Sequence, residues 1–179
     1  MTLYLTEFIV PIGSGPDDEL FRRIDVAVDD AGGELIELQV GLDAGRLYAV
    51  VEHDSAAALR AAFDTAALGP FDVVEVRLVG PTLDEVKAAR GDAGYLVEWD
   101  FPDDLGMDAY LERKKRNAPG YAKGPETTFL RTYACEDMTK CLCFYRAPDE
   151  EAVLRAREAV DTPVTRIGRI EEAPRRVRA

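Results

Sequence analysis

The chain has 179 residues, with 34 Asp or Glu against 22 Lys or Arg, a formal net charge of -12. That balance repels phosphate and argues against nucleic acid or an acidic membrane surface as partner. No apolar run approaches ~18 residues, so no membrane-spanning helix is expected. Residues 1–7 lack a basic stretch and a small-residue cleavage site, which predicts a cytoplasmic protein. Its three cysteines are then reduced thiols rather than a disulfide framework.

In chain order, residues 3–10 are rich in β-branched and aromatic side chains and read as a strand closed by Pro11. Gly13-Ser14-Gly15-Pro16 reads as a turn, with a faint likeness to an anion-binding loop and Pro16 suited to a first helical position. Leu20, Phe21, Ile24 and Val28 recur at helical spacing until Gly32-Gly33. Residues 34–40 and 46–51 form a strand pair, Asp54 or Ser55 caps a helix carrying Leu59, Ala62 and Phe63, and residues 71–79 form a last strand. A linker over 82–93 is predicted to contain a short helix. The scheme then returns: a strand at 95–101, a helix at 107–116, strands at 127–135 and 140–145, a helix from Asp149 to about Val160, and a strand at 164–170.

Sequence echoes this return. Tyr4-Leu5-Thr6-Glu7 aligns with Tyr95-Leu96-Val97-Glu98 at an offset of 91, and Asp54 to Arg60 aligns with Asp149 to Arg155 at 95. The predicted class is α+β, with two βαββαβ units at 1–81 and 94–173, a linker at 82–93 and a basic tail at 174–179. In each unit two helices cover only one face of a four-stranded sheet. The other face must be buried against the sister unit, giving an α+β barrel or a face-to-face pair of sheets. An internal pair makes a monomer plausible, and a homodimer remains open.

Strand alternation puts Leu96, Glu98 and Asp100 on the inner face, and Leu5, Glu7 and Ile9 likewise. Glu7 and Glu98 thus stand at matching inner positions, with Glu75 and Arg166 on neighbouring strands in phase to join them. Such carboxylates need partners or a raised pKa. They mark either a pocket with acid/base groups or an ion-pair network between the units.

The second hairpin is the most distinctive stretch. If Cys135 lies opposite Cys141, then Tyr133 faces Cys143, Arg131 faces Tyr145, and all six side chains share one face. Cys135, Cys141 and Cys143 could hold a soft metal, one thiol could act as a nucleophile beside Arg131, or the thiols could simply pack. A Cys135–Cys141 disulfide is a further alternative. His53 is the only histidine, placed to cap a helix, to sit at the surface or to act as a lone base. Arg113-Lys114-Lys115-Arg116 reads as a solvated helix end or a steering patch for anions.

Tyr95-Leu96-Val97-Glu98, Arg131-Thr132-Tyr133, Asp137, Lys140, Cys143-Phe144-Tyr145-Arg146-Ala147-Pro148-Asp149-Glu150 and Pro163-Val164-Thr165-Arg166-Ile167 carry a family resemblance over about 94–171. This stretch resembles a family of small bacterial proteins whose best-described type is nickel-binding, ferredoxin-like and dimeric. The resemblance implies two ferredoxin-like units in tandem, packed as an intramolecular pseudo-dimer with room for a metal ion between them. It supplies no ligand set, because nickel favours imidazole nitrogen and the chain has one histidine.

Two functions follow as expectations. One is a binding protein for a small molecule or a transition metal (nickel, zinc or copper). The other is a cofactor-independent enzyme of isomerase, cyclase or monooxygenase type. There Glu98 or Glu7 is the base, Arg131 or Arg166 the electrostatic partner, and Tyr133 a donor.

Overall fold

The structure is a computed structural model, and it describes residues 1–12, 17–70, 72–89 and 91–173. The turn read at Gly13-Ser14-Gly15-Pro16 and the basic tail lie outside the described residues. Fourteen elements follow in order: β1 (Thr2–Ile9), α1 (Asp18–Asp30), β2 (Glu34–Gly41), β3 (Arg46–His53), α2 (Ala56–Thr65), β4 (Val73–Val79), α3 (Leu83–Ala88), β5 (Tyr95–Asp100), α4 (Met107–Asn117), a 3₁₀ turn (Ala118–Lys123), β6 (Thr128–Cys135), β7 (Lys140–Arg146), α5 (Glu150–Ala159) and β8 (Arg166–Glu172). The order strand, helix, strand, strand, helix, strand occurs twice.

Local chemistry sets the helix starts. The Asp17 carboxylate accepts the N–H groups of Glu19 and Leu20, Ser55 caps α2 through Ala58, and Asp149 caps α5 through Ala152. Thr82 and Glu85 cap α3 reciprocally. The 3₁₀ turn, where Pro119 follows the end of α4, was not expected from the sequence.

The eight strands close into a barrel in the order β1-β3-β2-β8-β5-β7-β6-β4, so the sheet has no free edge. Each half contributes four neighbouring strands, joined across β2–β8 and β4–β6. Of the two arrangements the sequence allowed, the barrel is the one found. Three apolar clusters result. One lies between α1, α2 and the first half of the sheet (Phe8, Ile24, Leu47, Phe63), and a matching one lies behind the second half (Val97, Trp99, Tyr110, Val153). The third fills the barrel, with Leu5, Ile36, Val50, Leu96, Leu142 and Phe144. Leu5 and Leu96 fall inside, as alternation requires.

Helix α3 closes one end of the barrel. Val86 joins the interior cluster, and Lys87 bridges Glu34 and Glu52 at 2.8 and 2.9 Å. The other end is open, and there β1, β3, β5 and β7 bring their charged residues together.

Candidate functional site at the open end of the barrel

Glu7 and Glu98 meet at this mouth. The Lys140 ammonium bridges them, donating to Glu7 Oε1 and to Glu98 Oε2 at 3.0 Å. Arg46 donates to Glu7 Oε2 at 2.8 Å, Arg166 to Glu98 Oε2 at 3.0 Å, and the Tyr48 hydroxyl to Glu98 Oε1 at 2.9 Å. Glu98 is only 4% exposed. Arg166 is itself held by Asp100, which sits at the strand end in water.

Burial raises the Glu98 pKa, but the hydrogen bond from Arg166 and the charge of Lys140 outweigh it and hold this carboxyl below its ordinary range. Lys140 is raised: burial works against its charge, and Glu98 and Glu7 overcome that. Glu98 therefore contributes stability that is present above its unfolded value and lost as pH falls through its lower folded value. Lys140 contributes stability that is complete below its unfolded value and lost as pH rises through its higher folded one. The urea midpoint is expected to fall at both extremes, and Glu98→Gln should flatten the acid limb. An unchanged acid limb in that variant would remove Glu98 from the linkage.

Two cavities flank the bridge. The larger, about 380 Å³, is lined by Arg46, Tyr48, Leu96, Glu98, Arg166 and Gly168 among others. The smaller, about 290 Å³, has Leu5, Glu7, Arg46, Val74, Cys135 and Lys140 in its wall. Volumes of this order hold small metabolites.

Other predicted residues go elsewhere. Glu75 is exposed and opposite Tyr4, because Val74 and Val76 take the inner positions of β4. That corrects its placement in the inner network. Arg131 and Tyr133 do point into the barrel but away from the mouth, both serving Glu37. Arg131 Nε donates to Glu37 Oε1 at 2.9 Å and a second guanidinium nitrogen to Oε2. The Tyr133 hydroxyl donates to Oε1, and Gln39 Nε2 to Oε2 at 3.1 Å. Burial drives the Tyr133 phenol well above its ordinary value, with the Glu37 charge adding to it.

The cysteine hairpin also differs from expectation. Ala134, not Cys135, pairs with Cys141, and Thr132 pairs with Cys143. The turn holds four residues, with Met138 at φ 58° and its N–H donating to the Cys135 carbonyl at 3.0 Å. A one-residue slip moves every side chain to the opposite face. Cys135 therefore lines the barrel, whereas Cys141 and Cys143 face α4 and α5, their sulfurs 3.8 Å apart. All three are free thiols. Burial pushes the Cys135 thiol up to about 11, which makes it a weak nucleophile.

His53 acts as a cap. Its Nδ1 accepts the Ser55 N–H and its Nε2 donates to the Ala31 carbonyl, each at 2.8 Å. Both ring nitrogens are thereby engaged. Among the described residues no group of three or more His, Cys, Asp or Glu side chains is placed to hold a metal ion. The donor set present thus does not fit nickel. No described helix is long and apolar enough to cross a membrane.

Sequence reasoning missed Glu37, Gln39, Tyr48 and Arg46. Polar Glu37 and Gln39 alternate with Leu38 and Val40 on β2, which normally signals a water-facing side. In a closed barrel the helices cover the apolar face, so the polar face turns inward. Lys140 stood among the residues that carry the family resemblance, but nothing in the sequence placed it between Glu7 and Glu98.

Residues 95–170 match the family model described as "Nickel responsive protein SCO4226-like". This is the stretch that carried the resemblance, and it is less than half of the chain. A crystal structure of a chlorite dismutase-like protein, TA0507, superposes with a TM-score of 0.58 at 12% identity, covering 96% of this chain and 94% of that one. At that identity the likeness concerns the fold alone. An unknown protein from Galdieria sulphuraria aligns over 97% of this chain and 99% of its own, at 11% identity and a TM-score of 0.36. That score carries no argument. No curated protein matches the chain.

Proposed function

From the likeness of residues 95–170 to the nickel-responsive family, we propose that the chain is a tandem of two ferredoxin-like units that binds a small polar organic molecule in the barrel mouth, without turnover. The units span 1–81 and 94–173. One observation carries the reading: a nearly buried Glu98, fixed by Tyr48, Lys140 and Arg166, forms the wall of a cavity of about 380 Å³. A ligand there gains directional polar contacts from Glu98, Tyr48 and the guanidinium groups. Leu96, Ile167 and Ile170 offer it an apolar side.

Two features favour binding over proton-transfer catalysis. A carboxylate held below its ordinary pKa is a poor base at neutral pH. Arg131 and Tyr133, the expected electrostatic partner and donor, are committed to Glu37 rather than to the mouth. The family likeness favours a metal as second reading. The carboxylates that meet here are shared with Lys140, and the thiols are divided between two faces, so no set of donors among the described residues supports it.

Gly168 lines the larger cavity, and a Cβ added there meets nothing closer than the Asp43 Cβ at 4.0 Å. Gly168→Leu should therefore fill the cavity and leave the fold intact. Native mass spectrometry of the protein with a panel of carboxylic acids, amino acids and nucleosides is expected to show one-to-one binding that Gly168→Leu abolishes. Binding that survives in Gly168→Leu would overturn the mouth as the site, and retention of stoichiometric nickel would favour the metal reading.

A further inference from the structure

Behind the second half of the sheet, α4, the 3₁₀ turn and the end of α5 enclose a cavity of about 20 Å³. It has room for one water molecule or one monatomic ion and for nothing larger. Tyr110, Arg113, Lys114 and Arg157 line it, together with Trp99 and Tyr121. No carboxylate is among the lining residues.

Arg157 is 1% exposed. One of its terminal nitrogens donates to Cys143 Sγ at 3.4 Å and to the Tyr145 hydroxyl at 3.2 Å, and the other donates to the Pro163 carbonyl. Its Nε–H is buried without an acceptor, as is Arg113 Nε–H, and the hydroxyl of Tyr110, which is 2% exposed, has only the weakly accepting Cys141 sulfur beside it. Lys114 donates to Thr132 Oγ1 at 3.0 Å and lies over the Phe129 ring. Of the cavity's cations, only Arg113 has a carboxylate, the exposed Asp161 at 3.3 Å.

A buried guanidinium without a counter-ion is costly, and so is a buried donor without an acceptor. The Cys143 thiol is held well below the ordinary range by a hydrogen bond from Cys141 and by the charges of Lys114 and Arg157, against burial. That sulfur is not among the cavity-lining groups, so the donors in the cavity stay open. A water oxygen accepts two hydrogen bonds, one fewer than the three donors left here. An anion answers every donor at once.

We propose that this cavity is a binding site for a single chloride-sized halide ion, held by Tyr110 O–H, Arg113 Nε–H and Arg157 Nε–H. The site is separate from the barrel mouth and independent of the function proposed for it. Arg113 and Lys114, half-buried at the rim, supply the positive field through which the ion enters. The basic run in α4 is then not merely a solvated helix end.

Trp99 is the chain's single tryptophan and lines the cavity, so its emission reports occupancy. The full chain is titrated with sodium bromide and sodium chloride against sodium gluconate and sodium sulfate at matched ionic strength. The expected result is saturable quenching by bromide and a thermal stabilisation by chloride that neither larger anion reproduces. Tyr110→Phe removes one hydroxyl without changing the packing, and it should weaken halide binding about tenfold or more. Identical responses to chloride and gluconate would overturn the proposal, as would a halide effect unchanged in Tyr110→Phe. Crystals soaked in bromide offer an independent check: an anomalous peak between Arg113 and Arg157 supports the site, and its absence rejects it.

Discussion

Glu37→Gln is expected to destabilise the protein by about 3–5 kcal/mol, the cost of leaving a buried charge without its partner. The Arg131 side chain is 8% exposed and that of Glu37 is 2% exposed, so water does not take over when the carboxylate is gone. The amide keeps one acceptor for Arg131 or Tyr133 but carries no charge. In a chain of this size the loss corresponds to a drop in Tm of roughly 6–20 °C. Removing the network altogether should behave differently. The quadruple variant Glu37→Met, Gln39→Leu, Arg131→Met, Tyr133→Phe, which also removes the amide that donates to Glu37, is expected to recover most of that stability, because an apolar cluster has no charge to desolvate. Urea unfolding of the two variants decides the matter. A loss below about 1 kcal/mol in Glu37→Gln would mean that the pair is hydrated and worth no more than a surface ion pair.

Phe144→Ala is expected to cost about 3–5 kcal/mol, through lost burial and the void left behind. Its ring is 1% exposed, packs edge-on against Tyr133 at 5.8 Å, and lies beneath the Arg131 guanidinium at 4.8 Å. The cost should not add to that of Glu37→Gln. Both changes loosen Arg131, so the double variant should fall short of the sum by more than about 0.5 kcal/mol. Simple additivity in a double-mutant cycle would show that ring and ion pair act independently.

Much of the architecture was legible in the sequence because it rests on local signals. The helices over 18–30 and 56–65 follow from apolar spacing, and Ser55 and Asp149 mark the starts of those over 56–65 and 150–159, whereas the Asp17 cap went unread. The inward position of Glu7 and Glu98 follows from strand alternation, and their shared partner Lys140 at the mouth agrees with it. The salt bridge from Arg166 to Glu98 was also foreseeable, since β8 pairs Arg166 directly with Glu98.

What could not be read depends on register. The cysteine hairpin differs from its simplest pairing by one residue, and only the left-handed backbone at Met138 decides which pairing holds. A methionine gives no hint of such a conformation, unlike glycine or asparagine. Bulges are equally silent. One lies between Leu35 and Glu37 and another between Phe129 and Arg131, and each re-aims the strand on one side of it. Alternation carried through Leu130 would place Phe129 on the same side as Arg131. Phe129 instead packs behind the sheet against Tyr121 and Tyr145, while Arg131 enters the barrel.

The two bulges stand 94 residues apart, and so do Glu37 and Arg131, each the first residue beyond its bulge. Their cross-strand neighbours, Val50 and Phe144, keep the same interval. Glu37 and Arg131 therefore hold corresponding places in the two runs of strand, helix, strand, strand, helix, strand, and they touch. Two separate identical subunits joined this way would set a residue against its own duplicate there: glutamate on glutamate, or arginine on arginine. Only a pair of unlike halves can place opposite charges at that point. A single chain that supplies both sides of the barrel can thus set a carboxylate against a guanidinium at its centre.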